Sequence, residues 1–183
     1  AVTLQNGLDN AERLAARTGR DCVAAGVTYN AATLLGPGEV RHVAAQPTYL
    51  AAGQDASPLV RGLLSALANL LNRAGLVTYE DADIDGRLWG KAVANAAINP
   101  LTALWRIRNG GLLDHPERLN LLHTLAAEAA DVAAARDFVL PFANSAEYVE
   151  SVCKATAQNR SSMLQDVERG RPCVVRQINQ LPA

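Results

Sequence analysis

No charge of either sign is in excess in this chain: 17 Lys and Arg face 18 Asp and Glu, with no long run of one kind. That balance removes the electrostatic reason to expect nucleic acid or an anionic membrane surface as a partner. No apolar stretch is long enough to span a bilayer, and the first residues lack the charged and apolar blocks of a signal peptide. A cytoplasmic location is therefore expected. Cysteine is scarce, with 3 residues, Cys22, Cys153 and Cys173, far apart and without paired spacing or a nearby His. This pattern argues against a zinc site and a disulfide framework, and reduced thiols are expected. His42, His115 and His123 are equally scattered, and a lone His is more often a surface or satisfied core residue than a catalyst. No metal site is expected. Internal repeats, low-complexity tracts and a G-x-G-x-x-G phosphate loop are also missing, so a nucleotide site cannot be built from this chain alone.

With 49% apolar residues, the 183-residue chain can bury a real core as one domain or two small ones. It opens abruptly on Ala1-Val2-Thr3-Leu4-Gln5-Asn6-Gly7, an apolar run into a turn, as expected of a piece cut from inside a longer protein. A helix is predicted over 10–17, with Gly19 as its stop. Short runs at 22–29, 40–44 and 48–52, separated by turn residues, predict a small antiparallel sheet, with Gly26 marking a bulge. Ser57-Pro58 opens a predicted helix to about Ala74, ended by Gly75. Beyond the acidic 80–85 stretch the chain reads as helical. One helix is expected to stop near Asn99, because Pro100 disfavours helical geometry in the residue before it. Further helices are expected at 101–107, 116–137 and 145–169. A strand-rich first part of about 80 residues followed by helices is an α+β order.

Three segments could carry chemistry. In Leu88–Leu104, Lys91, Asn95 and Asn99 stand four residues apart in otherwise apolar sequence. At helical pitch they lie along one face, drifting by about 40° per step. A lysine in a partly apolar cleft can protonate a developing alkoxide or attract a carboxylate, and neighbouring amides can orient hydroxyl and carbonyl groups. The same spacing suits a surface lysine with two asparagines capping local backbone, and spacing alone does not choose. In 159–171, Ser162 and Asp166 share a helix face, with Arg160, Arg169 and Arg171 as donors for a carboxylate or phosphate. A solvated helix laced with ion pairs is the commoner outcome for such a stretch. At Leu4-Gln5-Asn6-Gly7 a strand ends in polar residues, as strands facing a ligand often do, although most such turns are merely turns.

In this order and at these separations, the Leu-Gln-Asn-Gly turn, the Gly-Val-Thr and Gly-Pro-Gly region, the Trp89–Ala103 run and the Ser161–Arg171 run resemble the ketopantoate reductase family throughout the chain. The resemblance implies residues 1–82 as the C-terminal part of a Rossmann-type NADPH-binding domain. Residues 83–183 are then a helical domain like that of 6-phosphogluconate dehydrogenase, truncated at its C-terminus. The implied activity is reduction of 2-dehydropantoate to pantoate, on the route to pantothenate and coenzyme A. The implied partner is a small 2-keto acid; neither nucleic acid nor membrane is expected, and a homodimer is allowed. Lys91 matches the family's general acid, Asn95 and Asn99 its substrate-binding amides, Ser162 the hydroxyl that holds the substrate carboxylate, and Asn6 the asparagine near the nicotinamide. Val174 stands where the active-site glutamate is expected, and Asp9 replaces a usual glycine. The family's glycine-rich loop lies upstream of Ala1 and its last helix beyond Ala183, so the isolated fragment is expected to be inactive. A degenerate, non-catalytic helical protein that keeps the fold for ligand binding or dimerisation is the alternative.

Overall fold

The computed structural model describes residues 1–172, apart from the side chain of Thr33. It contains two compact units, Ala1–Leu88 and the chain from Trp89 onward. The first unit runs β1 (Val2–Thr3), α1 (Asn10–Thr18), β2 (Ala24–Thr28), β3 (Ala31–Gly36), β4 (Glu39–Ala44), β5 (Thr48–Ala52), α2 (Pro58–Arg73), β6 (Thr78–Glu80) and the start of α3 (Ile84–Trp105). The second holds the rest of α3, then α4 (Pro116–Ala134), α5 (Ser145–Ala155) and α6 (Ser162–Glu168).

Local signals place the two early helices where the sequence predicts them, whereas β3 forms over a stretch where no strand is predicted. α1 ends at Gly19, whose φ of +93° carries its amide back to the Ala15 carbonyl. Ser57 caps α2 by accepting from the Val60 amide, with Pro58 in the first turn, and Gly75 follows the helix at φ +83°. The antiparallel pairing expected of the runs at 22–29 and 48–52 holds between β2 and β5, but the sheet also contains parallel pairs. Its order is β1-β2-β5-β6, with β1–β2 and β5–β6 parallel and only β2–β5 antiparallel, while β3 and β4 form a separate antiparallel hairpin. The reason is topological: α1 and α2 each sit between paired strands, and a strand-helix-strand crossover brings the second strand back parallel. Nor does Gly26 mark a bulge, since β2 and β5 pair without a register shift and Gly26 lies opposite Leu50. A Cβ there would meet Leu4 and Leu50 side-chain carbons at 2.7 Å, so the glycine permits close approach.

Leu64 and Ala68 of α2 pack with Ala24 and Leu50 of the sheet, while Val27, Ala51 and Ile84 form a second cluster. The first turn of α3 is held by an Arg87–Asp81 ion pair, by the Arg87 guanidinium 3.7 Å from the Tyr49 ring centroid, and by Tyr29, whose hydroxyl donates to the Arg87 carbonyl.

In the second unit, Val93, Ala97, Ile98 and Leu101 of α3 pack with Leu112, Leu122, Val149 and Cys153 in one core. α3 does not stop at Asn99: it passes through Pro100 to Trp105. Pro100 withholds one amide donor and crowds the preceding turn. The adjoining residues Val93, Ala97, Ile98 and Leu101 are nearly or wholly buried, and their packing keeps the helix going. The separate helix expected at 101–107 is therefore part of α3. Arg106 follows at φ +53°, and the Ile107 amide closes the end on the Thr102 carbonyl at 3.1 Å. The single helix expected at 145–169 is also two. Carbonyls of Ala157 and Asn159 accept from the Gly110 and Asn109 amides, so the chain bends out of helix there and restarts at Ser161. Cys22 and Cys153 are free thiols, the latter fully buried; Cys173 lies outside the described residues.

Candidate active site in the helical unit

α3 places Lys91, Asn95 and Asn99 at successive turns, as their spacing predicts. Lys91 and Asn95 are half-buried and Asn99 is buried. The helix is tight against the 141–142 segment at this level: a Cβ on Gly90 would stand 2.9 Å from a Pro141 ring carbon. Burial pushes the Lys91 ammonium down from its ordinary 10.5 to about 8. A lysine so placed exchanges its proton near neutral pH, which an exposed lysine does not. The carboxamides one and two turns along each offer a donor and an acceptor without adding charge.

The second candidate segment is joined to α3 through its first residues. Ser161 is buried and caps α6, its hydroxyl oxygen accepting from the Leu164 amide at 3.0 Å. The same oxygen lies 2.8 Å from the hydroxyl oxygen of Thr102, on α3. Ser162, the residue singled out from sequence, is next in the chain and exposed. The ion-pair reading of this stretch also holds in part, since Arg160 pairs with Glu168. Asn6 belongs to the first unit, exposed in the turn after β1, where its carbonyl accepts from the Asn10 side chain at 2.9 Å. Val174 lies outside the described residues.

Asn109-Gly110-Gly111 falls between the helices expected at 101–107 and 116–137 and is in none of the three segments singled out from the sequence. In the structure Asn109 is buried, its side-chain amide donating to the Thr156 hydroxyl at 2.9 Å and its backbone amide to the Asn159 carbonyl at 3.1 Å. Its Oδ1 is buried without a hydrogen-bond partner, the one such side-chain atom found among the described residues. A buried acceptor left open is costly in a core and ordinary where a ligand or water donates to it. Only the asparagine itself, a polar residue followed by two glycines, hinted at this in the sequence. Among the described residues no group of three or more His, Cys, Asp or Glu could hold a metal ion, and no helix is long and apolar enough to cross a membrane.

Comparison with known proteins places the chain by family and fold. The family model for the ketopantoate reductase PanE/ApbA C-terminal domain matches residues 83–182, and that for ketopantoate reductase PanE/ApbA matches residues 1–55. A 2-dehydropantoate 2-reductase of Archaeoglobus fulgidus is 37% identical over 97% of the chain and 58% of its own length. The crystal structure of 2-dehydropantoate 2-reductase from Geobacter metallireducens is similar with a TM-score of 0.86 at 28% identity, over 98% of this chain and 59% of that one. A D-mandelate dehydrogenase solved with NADH shares the fold at 22% identity, with a TM-score of 0.85, over 98% of this chain and 60% of that one. The chain thus spans somewhat over half the length of these relatives.

Proposed function

The chain belongs to the ketopantoate reductase family, and from that premise we propose that it carries the substrate side of an NADPH-dependent site reducing 2-dehydropantoate to pantoate. The observation that carries this reading is the alignment of a half-buried lysine and two asparagines on one face of α3. When bound, the nicotinamide supplies a hydride to the ketone carbon. Lys91 then gives its Nζ proton to the ketone oxygen as negative charge builds there, and is reprotonated from solvent. A proton held at about 8 is released more readily than one held at 10.5, which suits that role. Asn95 and Asn99 orient the substrate's hydroxyl and carbonyl groups, Ser162 binds its carboxylate, and the open Oδ1 of Asn109 accepts from a substrate hydroxyl or a bridging water. On the cofactor side this chain offers the Asn6 turn, at the carboxyl end of a strand in a parallel pair, where ligands of open α/β sheets gather. It carries no glycine-rich loop for the phosphates. Residues 1–82 are the cofactor-side domain in this reading and residues 83–183 the substrate-side domain.

The test uses the full-length gene product, following NADPH absorbance with 2-dehydropantoate. Lys91→Ala should lower kcat by about 10²–10⁴-fold, the range of a general acid, and retained turnover would overturn the assignment. We extend the proposal to a cytoplasmic homodimer, for which analytical sedimentation is the check on assembly. Val174 favours a second reading, a non-catalytic relative, because an isopropyl group cannot take the hydrogen bonds of a glutamate. Turnover that appears only in Val174→Glu would select that reading.

A further inference from the structure

We propose that Thr102 is a positioning residue for the substrate grip: through Ser161 it sets where the start of α6, and with it Ser162, stands relative to Asn99. This rests on the reading of Asn99 and Ser162 given above. The two hydroxyls are 59 residues apart in sequence, both buried, and 2.8 Å apart in space. Each is committed on its other side. The Thr102 hydroxyl lies 3.0 Å from the carbonyl oxygens of Ile98 and Asn99, and the Ser161 oxygen accepts from the Leu164 amide. A continuous hydrogen-bonded path therefore runs from the backbone of Asn99, through two hydroxyls, to the first turn of α6.

The geometry gives this path a distinct task. The loop before α6 is fixed at its upstream end by the Asn109 and Gly110 amides, which donate to the Asn159 and Ala157 carbonyls at 3.1 Å. Those bonds act before Ser161. α6 has 7 residues, too few to hold its own direction, so the cap decides where it begins. Ser161 faces inward and Ser162, its neighbour, is exposed, so a small rotation at the cap moves the Ser162 hydroxyl directly. A side chain that only filled space at 102 would not need a hydroxyl; threonine supplies one, fully buried, and the Ser161 hydroxyl meets it.

Thr102→Val and Thr102→Ser in the full-length gene product separate the hydrogen bond from the packing. Thr102→Val is expected to raise KM for 2-dehydropantoate about 10-fold with kcat within about 3-fold, since a displaced carboxylate contact is lost equally in ground and transition states. Thr102→Ser should bring KM back to within about 2-fold. Independently of turnover, hydrogen exchange at the Leu164 amide should quicken about 10-fold in Thr102→Val and return towards wild type in Thr102→Ser. A folded Thr102→Val with wild-type KM and wild-type Leu164 exchange overturns the proposal. If the wild-type protein does not reduce 2-dehydropantoate, the substrate reading falls, and the exchange comparison alone decides whether Thr102 holds the start of α6. Should Thr102→Val fail to fold, Ser161→Ala against Ser161→Thr makes the same comparison from the other side of the bond.

Discussion

Replacing Lys91 by Met tests the central electrostatic feature of the helical unit without requiring turnover. The ordinary lysine value is 10.5 and the folded one about 8, so between those pH values the unfolded chain holds a proton that the folded chain has released. Stability therefore rises with pH across that window and is lowest below pH 8, by about 3 kcal/mol at about 1.4 kcal/mol per pH unit. Methionine keeps the length and the apolar stem while removing the ammonium. At pH 7, Lys91→Met should be the more stable protein by up to about 3 kcal/mol, with the gain shrinking towards zero by about pH 10.5. The assay is urea unfolding followed by tryptophan fluorescence. The chain has 2 tryptophans, Trp89 and Trp105, both in the second unit on α3, so the signal reports the unit in question. A gap between the two proteins that stays constant from pH 7 to 10.5, or one that widens with pH, would refute the reasoning.

Three further outcomes follow from local geometry. Arg106 and Asp137 sit at φ +53° and +60°, where a Cβ is strained, so Arg106→Gly and Asp137→Gly should each raise stability by about 0.5–1 kcal/mol, read as a higher Tm. Gly26→Ala would drive a methyl to 2.7 Å from Leu4 and Leu50 side-chain carbons and should cost about 1–3 kcal/mol in urea unfolding. Glu150 is held below its ordinary 4.5 chiefly by the hydrogen bond from Lys154, at 2.9 Å, with His123 of α4 on its other oxygen at 3.0 Å. Its contribution is complete above the ordinary glutamate value and is lost as pH falls through the lower folded value. Glu150→Gln should therefore flatten the acid limb of the fluorescence titration, and an unchanged limb would count against the cluster.

Features set by neighbouring residues could be read before folding was considered. Ser57-Pro58 and Gly75 bracket α2, Gly19 ends α1, and the Lys91 stripe follows from helical pitch alone. What distant contacts decide could not be read in this way. Pro100 looks like a helix stop until the buried residues on either side of it are packed. The break between α5 and α6 depends on two amides at 109 and 110, which lie some 50 residues upstream and claim the carbonyls of Ala157 and Asn159. Two adjacent serines carry the same chemistry, and only the fold turns Ser161 inward and leaves Ser162 exposed. The open oxygen of Asn109 was invisible for a similar reason, because a buried acceptor is defined by what fails to reach it.

The β3–β4 hairpin also bears on the order in which the first unit assembles. Thr28 and Thr48 are paired neighbours, their hydroxyl oxygens 2.9 Å apart, and Asn30 ties the base by donating to the Gln46 carbonyl at 2.6 Å. The entire hairpin lies in the connection between them. Joining β2 to β5 directly means closing a loop of about 20 residues; once the hairpin has zipped, the free loop falls to about 6, and the entropic cost drops by about 1 kcal/mol. Hairpins form in about 1–10 μs, ahead of most long-range pairing. The insertion that looks like an ornament on the sheet thus acts as a shortcut in time, and residues added at its Pro37-Gly38 tip lengthen a turn without lengthening the search that joins β2 to β5.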